Sequence, residues 1–188
     1  MIITITGNLG SGKSTVAKLV AHKLSYKHYS TGDFMRQMAA ERSVDLLTLN
    51  KLAEKDKSID KELDKRQKNI GNEQDNFVID ARLGWRFIPH SAKIFLEVDD
   101  KEAARRIFSD QRKEEKKYGS LQEALENIKK RKESEVKRYK DLYNLDYYNR
   151  KNYDLVVDTT KISAEQVAQK IIDFVKKEVT TKKADVVN

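Results

Sequence analysis

Ile2-Ile3-Thr4-Ile5-Thr6-Gly7-Asn8-Leu9-Gly10-Ser11-Gly12-Lys13-Ser14-Thr15-Val16-Ala17 is the stretch whose reading decides the fold. A β-branched run comes first, then a glycine-rich turn, then a helical pattern with Val16, Ala17, Leu19, Val20 and Leu24 on its inward side. Residues 7–14 match G-x-x-x-x-G-K-[ST] in full, and a strand before with a helix after is the context this motif requires. The glycines let the backbone wrap a phosphate, with N–H groups turned inward at a helix N-terminus. Lys13 then reaches the β- and γ-phosphates, and Ser14 ligates Mg²⁺. Gly7, Asn8, Leu9, Gly10, Ser11, Gly12 and Thr15 complete a nucleoside triphosphate site. The bland alternative, a glycine-rich turn before an ordinary helix, is outweighed by the complete motif in this setting.

Outward from this loop, short apolar runs alternate with longer helical stretches. Further strands are expected at His28–Ser30, Phe77–Ile79, Lys93–Val98 and Leu155–Val157. Between the second and third lies a helical region, roughly 33–72, broken near Arg42–Asp45 and Asp56–Asp60. Capping boxes open three helices, at Asp99…Glu102, Ser120…Glu123 and Ser163…Gln166. The helix from Ser120 is expected to turn Leu121, Leu125, Ile128, Val136, Tyr139 and Tyr143 to one face. The last helix is expected over 164–178, ahead of a frayed Thr/Lys/Asp tail. This alternation predicts an α/β fold: one domain over residues 1–188, with a five-stranded, mostly parallel sheet flanked by helices.

The composition limits the function classes. Zero cysteines in 188 residues exclude a disulfide scaffold, a thiolate zinc site and a cysteine nucleophile. Three scattered histidines argue against a histidine metal cluster. No run of eighteen apolar residues offers a membrane span. The strand-like start at Met1 takes the place of a leader, so a cytoplasmic protein is expected. With 38 Lys and Arg against 30 Asp and Glu, the net charge is +8, and residues 101–140 hold 14 of the former against 8 of the latter. Such a concentration points to an anionic partner, whether nucleic acid or the phosphates of a substrate.

The loop alone does not name a reaction. A guanine-reading Asn-Lys-x-Asp segment is absent, and the third strand ends in Asp80-Ala81-Arg82 rather than Asp-Glu. These features set aside a GTPase and a motor-type ATPase. Ser30-Thr31-Gly32-Asp33-Phe34-Met35-Arg36 places a cation near the mouth of the loop. Arg36 and Arg82, at the ends of two neighbouring strands, are expected to clamp a second phosphate facing the first, since guanidinium forks bind phosphate oxygens bidentately. In the bland reading, Arg36 is a surface residue and Arg82 the ion-pair partner of Asp80.

Taken together, Gly7–Ser14, Ser30–Arg36 and Asp80-Ala81-Arg82-Leu83 resemble successive motifs of nucleoside monophosphate kinases, most closely the short, archaeal-type cytidylate kinases. The resemblance continues through Ile59–Gln67 and Arg131–Tyr139 to Tyr153–Thr159, covering nearly the whole chain. It implies a P-loop kinase fold with an acceptor-binding insertion near 33–72 and a lid near 112–142. It implies transfer from ATP, with Mg²⁺, to CMP or dCMP. In such kinases an Arg-x-x-x-acid-x-x-Arg stretch brings cations to the transferring group while its acid holds the acceptor nucleoside. That pattern assigns Arg131 and Arg138, with Lys13, to catalysis, and Glu135 to the substrate. Asp33 and Asp80 are candidates to orient the acceptor phosphate or hold waters of the Mg²⁺ shell. Where such kinases often have Glu-Gly-Arg, this chain has Asp80-Ala81-Arg82, and either Arg106 or Arg112 faces the triphosphate. Cytosine needs both an acceptor and a donor, which Asp64, Arg66 and Gln67 supply, although helix-surface salt bridges explain these three equally well. The competing readings are an AMP or UMP kinase and a nucleotide-regulated nucleic-acid-binding protein. For the latter, Tyr139, Tyr143, Tyr147 and Tyr148 serve either as stacking platforms or as core. The expected partners are ATP and CMP or dCMP, with no membrane and no nucleic acid, on a monomer.

Overall fold

The computed structural model describes residues 1–109 and 118–185. The elements run β1 (Ile2–Gly7), α1 (Lys13–Leu24), β2 (Lys27–Ser30), α2 (Thr31–Glu41), α3 (Leu46–Lys55), α4 (Lys57–Glu73) and β3 (Phe77–Asp80). They continue with the short α5 (Gly84–Phe87), β4 (Ala92–Glu97), α6 (Asp100–Ser109), α7 (Leu121–Tyr143), β5 (Leu155–Asp158) and α8 (Ala164–Asp185). The strands form one parallel sheet in the order β2-β3-β1-β4-β5.

The alternating side chains of β1 explain its central place. Ile3 and Ile5 face a core built with Val16, Ala17 and Val20 of α1 and Val167, Ala168 and Ile171 of α8. Thr4 and Thr6 are also buried, with their hydroxyls satisfied: Thr4 Oγ1 meets Ser91 Oγ at 3.0 Å and Thr6 donates to the Ala81 carbonyl at 2.9 Å. The register pairs Ile5 and Ser30 each with Asp80, and Gly7 with Leu96. The carboxyl ends of β1, β2, β3 and β4 therefore share one edge, where open parallel sheets bind ligands.

The region between β2 and β3 breaks where its caps dictate. Asp45 accepts from the Thr48 N–H at 2.6 Å and Asp56 from the Ser58 N–H at 2.8 Å, opening α3 and α4. These helices and α2 close a small core of their own around Met38, Leu49 and Ile59. No helix among the described residues is long and apolar enough to cross a membrane.

Two expectations need correction. The last helix runs to Asp185 rather than stopping at 178, because the tail contains no breaker and Thr180 ties its hydroxyl to the Lys176 carbonyl at 2.9 Å. On α7, Leu121 and Val136 are 47% and 38% exposed. The inward stripe is instead Ala124, Ile128, Glu135, Tyr139 and Tyr143, with one carboxylate in its middle, and the exposed Arg131 continues the same ladder where it lines a cleft.

Candidate functional site

The phosphate-binding loop leaves β1 and is shaped by two left-handed residues. Gly10 has φ +74°, and a Cβ there would stand 2.8 Å from the Ala103 Cα of α6. Gly12, φ +80°, caps α1 without any side chain over the first N–H groups, which stay available for an anion. Lys13 lies back along the loop and donates to the carbonyls of Gly7 and Asn8 at 3.1 and 3.0 Å. Burial, then the neighbouring Arg82, push its ammonium down to about 8, against the opposing pull of Asp80 and Glu135. Below it, Ser14 Oγ donates to Asp80 Oδ2.

A cleft of about 500 Å³ opens over the loop, lined by Lys13, Ser14, Thr15, Thr31, Gly32 and Asp80 and by three arginines, Arg82, Arg106 and Arg131. Each arginine comes from a different element, and two are visibly braced. Arg82 donates to the Gly7 carbonyl at 3.2 Å and pairs with Glu135 of α7 at 2.8 Å. Glu135 accepts a second bond, from Tyr147 Oη at 2.8 Å. Arg106 joins Glu102 (2.8 Å), Thr159 Oγ1 (3.2 Å) and the Thr159 carbonyl (2.7 Å).

The residues singled out from the sequence thus fall into two groups. The loop residues Lys13 and Ser14 meet Asp80, Arg82, Glu135 and Arg131 around one cleft. Arg82 pairs with Glu135, not with Asp80, so the bland reading of that arginine does not hold. Of the two arginines left open, Arg106 lies at the loop, and Arg112 falls outside the described residues. Arg36, 51% exposed, is bonded to Asp33 at 2.5 Å on its own helix, and Asp33 also takes the Ser30 hydroxyl at 2.7 Å. Arg138 is seven residues beyond Arg131, about 10 Å along the helix, and pairs with Asp60 of α4. Asp64 accepts from Tyr143 Oη at 2.8 Å. The four tyrosines belong to an aromatic core with Trp85 and Phe95, so packing accounts for them.

Asp60, Tyr143, Tyr147 and Thr159 as partners of these groups went unread. The four-residue spacing of 131, 135, 139 and 143 carries a signal for Tyr143. Nothing local marks Tyr147 or Thr159, which reach the site through the fold.

A hard-oxygen pair, hydroxyl and carboxylate, beside a phosphate loop fits Mg²⁺, which keeps waters and phosphate oxygens as its other ligands. Among the described residues, no group of three or more carboxylates and imidazoles is placed to hold a metal by itself.

Comparison with known proteins agrees with this geometry. Residues 2–161 match the model of the Cytidylate kinase-like family. A cytidylate kinase of Natronomonas pharaonis is 40% identical over 169 residues, 89% of this chain and 85% of that protein. An S-adenosylmethionine-dependent nucleotide dehydratase of Lacinutrix mariniflava is 35% identical over 189 residues, 99% of this chain but 38% of that protein. The solved shikimate kinase of Aquifex aeolicus superposes with a TM-score of 0.62 at 19% identity, over 95% of this chain and 98% of that one, which gives the P-loop kinase fold.

Proposed function

The chain belongs to the Cytidylate kinase-like family, and from that premise and the cleft's geometry we propose that it transfers the terminal phosphoryl group of ATP to CMP or dCMP, yielding ADP and CDP or dCDP. The observation that carries the reading is the convergence of Lys13, Arg82, Arg106 and Arg131 on one cleft over the phosphate loop. Phosphoryl transfer needs positioning and neutralisation of charge on phosphate oxygens more than covalent chemistry.

The residues divide the work as follows. Within Gly7–Thr15 the Asn8 and Ser11 N–H groups are taken by the Leu96 and Asn8 carbonyls, so the uncapped N–H groups at the head of α1 and the Lys13 ammonium hold the donor phosphates. Ser14 and Asp80 would hold Mg²⁺, which when bound would supply further neutralisation of phosphate charge. Arg82, with Arg36 swung from Asp33, holds the acceptor phosphate, and Arg131 faces the group in transit. Arg138 and Glu135 belong to the acceptor side of α7. A monophosphate oxygen is already a nucleophile at neutral pH, so no strong general base is required. Helices α2 and α4 of the insertion at 33–72 and residues 118–142 of the lid, whose first part (112–117) falls outside the described residues, close over both nucleotides and keep water from competing as acceptor. The dehydratase activity is named for a protein of which this chain spans 38%, whereas the residues of this cleft suit phosphoryl transfer.

The test is a panel of nucleoside monophosphates with ATP and Mg²⁺. CMP and dCMP should exceed AMP and UMP in kcat/KM by more than about tenfold, a difference of about 1.4 kcal/mol. Turnover of AMP without turnover of CMP would reject the assignment.

A further inference from the structure

Asp64, Arg66 and Gln67 occupy one turn of α4, yet their surroundings differ in kind. Arg66 is bound on the outer surface to Glu41 at 3.1 Å and Glu62 at 2.6 Å, which removes it from any interior role. Asp64 lies beneath α7, bonded to Tyr143. Gln67 is 2% exposed, on the face where Leu63 and Ile70 pack against Phe34, Ile79 and Ala81. Its Nε2 donates to the Leu63 carbonyl at 3.4 Å, which turns Oε1 the other way, and that oxygen is buried with no partner. A leucine would fill this site without stranding an acceptor. A buried amide oxygen without a donor is uncommon enough to need a cause.

Residues at i and i+3 share a helix face, so α4 presents two acceptors side by side, the Asp64 carboxylate and Gln67 Oε1. An exocyclic amine carries two N–H donors. We propose that the amino group of cytosine donates one N–H to Gln67 Oε1 and the other to Asp64, displacing the Tyr143 hydroxyl, so that this pair selects cytosine over uracil. The inference rests on the reading of CMP as the acceptor. Spacing supports it: Tyr143 stands twelve residues beyond Arg131 on α7, about 18 Å along the helix. That span lies between the arginine that lines the cleft and the tyrosine that meets Asp64, enough for the acceptor's phosphate and sugar. Uracil presents a carbonyl oxygen at the same position, which brings no proton to either acceptor, and such mismatches discriminate strongly in buried polar sites.

The measurement is kcat/KM for CMP and for UMP in the wild-type protein and in Gln67→Leu, with thermal unfolding alongside. The CMP value should fall at least about tenfold and the UMP value change less than about threefold, with the unfolding temperature no lower than wild type. Equal losses on both acceptors, or none, would overturn the role of Gln67. Should the variant fail to fold, wild type tested against pH decides. Burial pushes the Asp64 carboxyl up to about 6, against the Tyr143 hydrogen bond. Asp60 on the same helix adds to the rise, while Lys68 and, from α7, Arg138 oppose it. Protonated below that value, Asp64 offers uracil a donor, so the CMP-to-UMP ratio should shrink from pH 7.5 to 5.5. The nucleotides' own phosphate ionisation, with a pKa of about 6, is common to both and cancels in the ratio. A ratio constant over that range would overturn the role of Asp64. Wild-type protein inactive on CMP would overturn the acceptor reading itself, whereas activity on CMP with an indifferent Gln67→Leu overturns only this inference.

Discussion

Lys13 shows how a single residue is held ready at some cost to the fold. Its ammonium titrates near 8 instead of 10.5 because burial and Arg82 disfavour the charge. A base lowered in the folded state contributes stability that is present above 10.5 and is lost as pH falls through about 8. At pH 7 the folded protein therefore carries a cation that opposes folding and awaits phosphate. Lys13→Met should lose more than about tenfold in kcat/KM yet unfold at or above the wild-type temperature at pH 7. Wild-type affinity for ATP should weaken between pH 7 and pH 9 as that proton is lost, and in the methionine variant this weakening should disappear. A variant that keeps more than a tenth of the activity, or that unfolds well below wild type, would assign Lys13 to structure rather than to the phosphates.

At the scale of one element, α7 is fixed by charge where its pattern suggested grease. The Arg82–Glu135 pair retains 20% and 19% side-chain exposure, so breaking it costs less than the 3–5 kcal/mol of a fully buried pair. Glu135→Ala, which also strands Tyr147, should lower urea-unfolding stability by about 2–3 kcal/mol. Arg150→Ala, which removes the exposed pair with Glu97, should cost under about 1 kcal/mol. A double-mutant cycle between positions 82 and 135 should return a coupling above about 1 kcal/mol, and a cycle near zero would reduce the pair to a surface contact. This helix also marks how far the sequence could be read. The phosphate loop was legible because its chemistry demands contiguous residues, and the breaks around Asp45 and Asp56 because caps are local. The spacing of Arg131, Glu135 and Arg138 along one helical line was legible too, but the partners that brace Glu135 were not. Glu135 is held by Arg82, which arrives from beyond β3, and by Tyr147 from the turn that follows α7. Arg138, expected to serve the transferring group, meets Asp60 from 78 residues away in sequence, a partner that local spacing does not reveal.

Over the whole molecule, the cleft is lined both by the phosphate loop, which leads into the sheet core through α1, and by the head of α2, which helps close the smaller core within α2–α4. α7 touches both sides, through Arg131 and Glu135 at the loop and through Arg138 and Tyr143 at α4. Lys13, Arg82, Arg106 and Arg131 repel one another across the cleft, with Asp80 and Glu135 as the facing carboxylates. An ATP analogue offsets the loop side of that repulsion and CMP the α4 side, so α7 is drawn fully inward only when both are bound. Amide hydrogen exchange over residues 121–143 should therefore slow more with both nucleotides than with either alone, while α3, on the far side of α2 and α4, serves as the control. Ligand at about a hundred times its Kd stabilises the folded state by about 2.7 kcal/mol, and amides that exchange by global unfolding slow by the corresponding factor of about 100 everywhere. Amides that exchange by local opening slow only where that opening is closed off by the ligand. Extra protection in α7 beyond the change in α3 would identify it as a gating element on the μs–ms scale. Protection that is already high in α7 and indifferent to both nucleotides would make it a fixed arm, and its basic residues would then need another explanation.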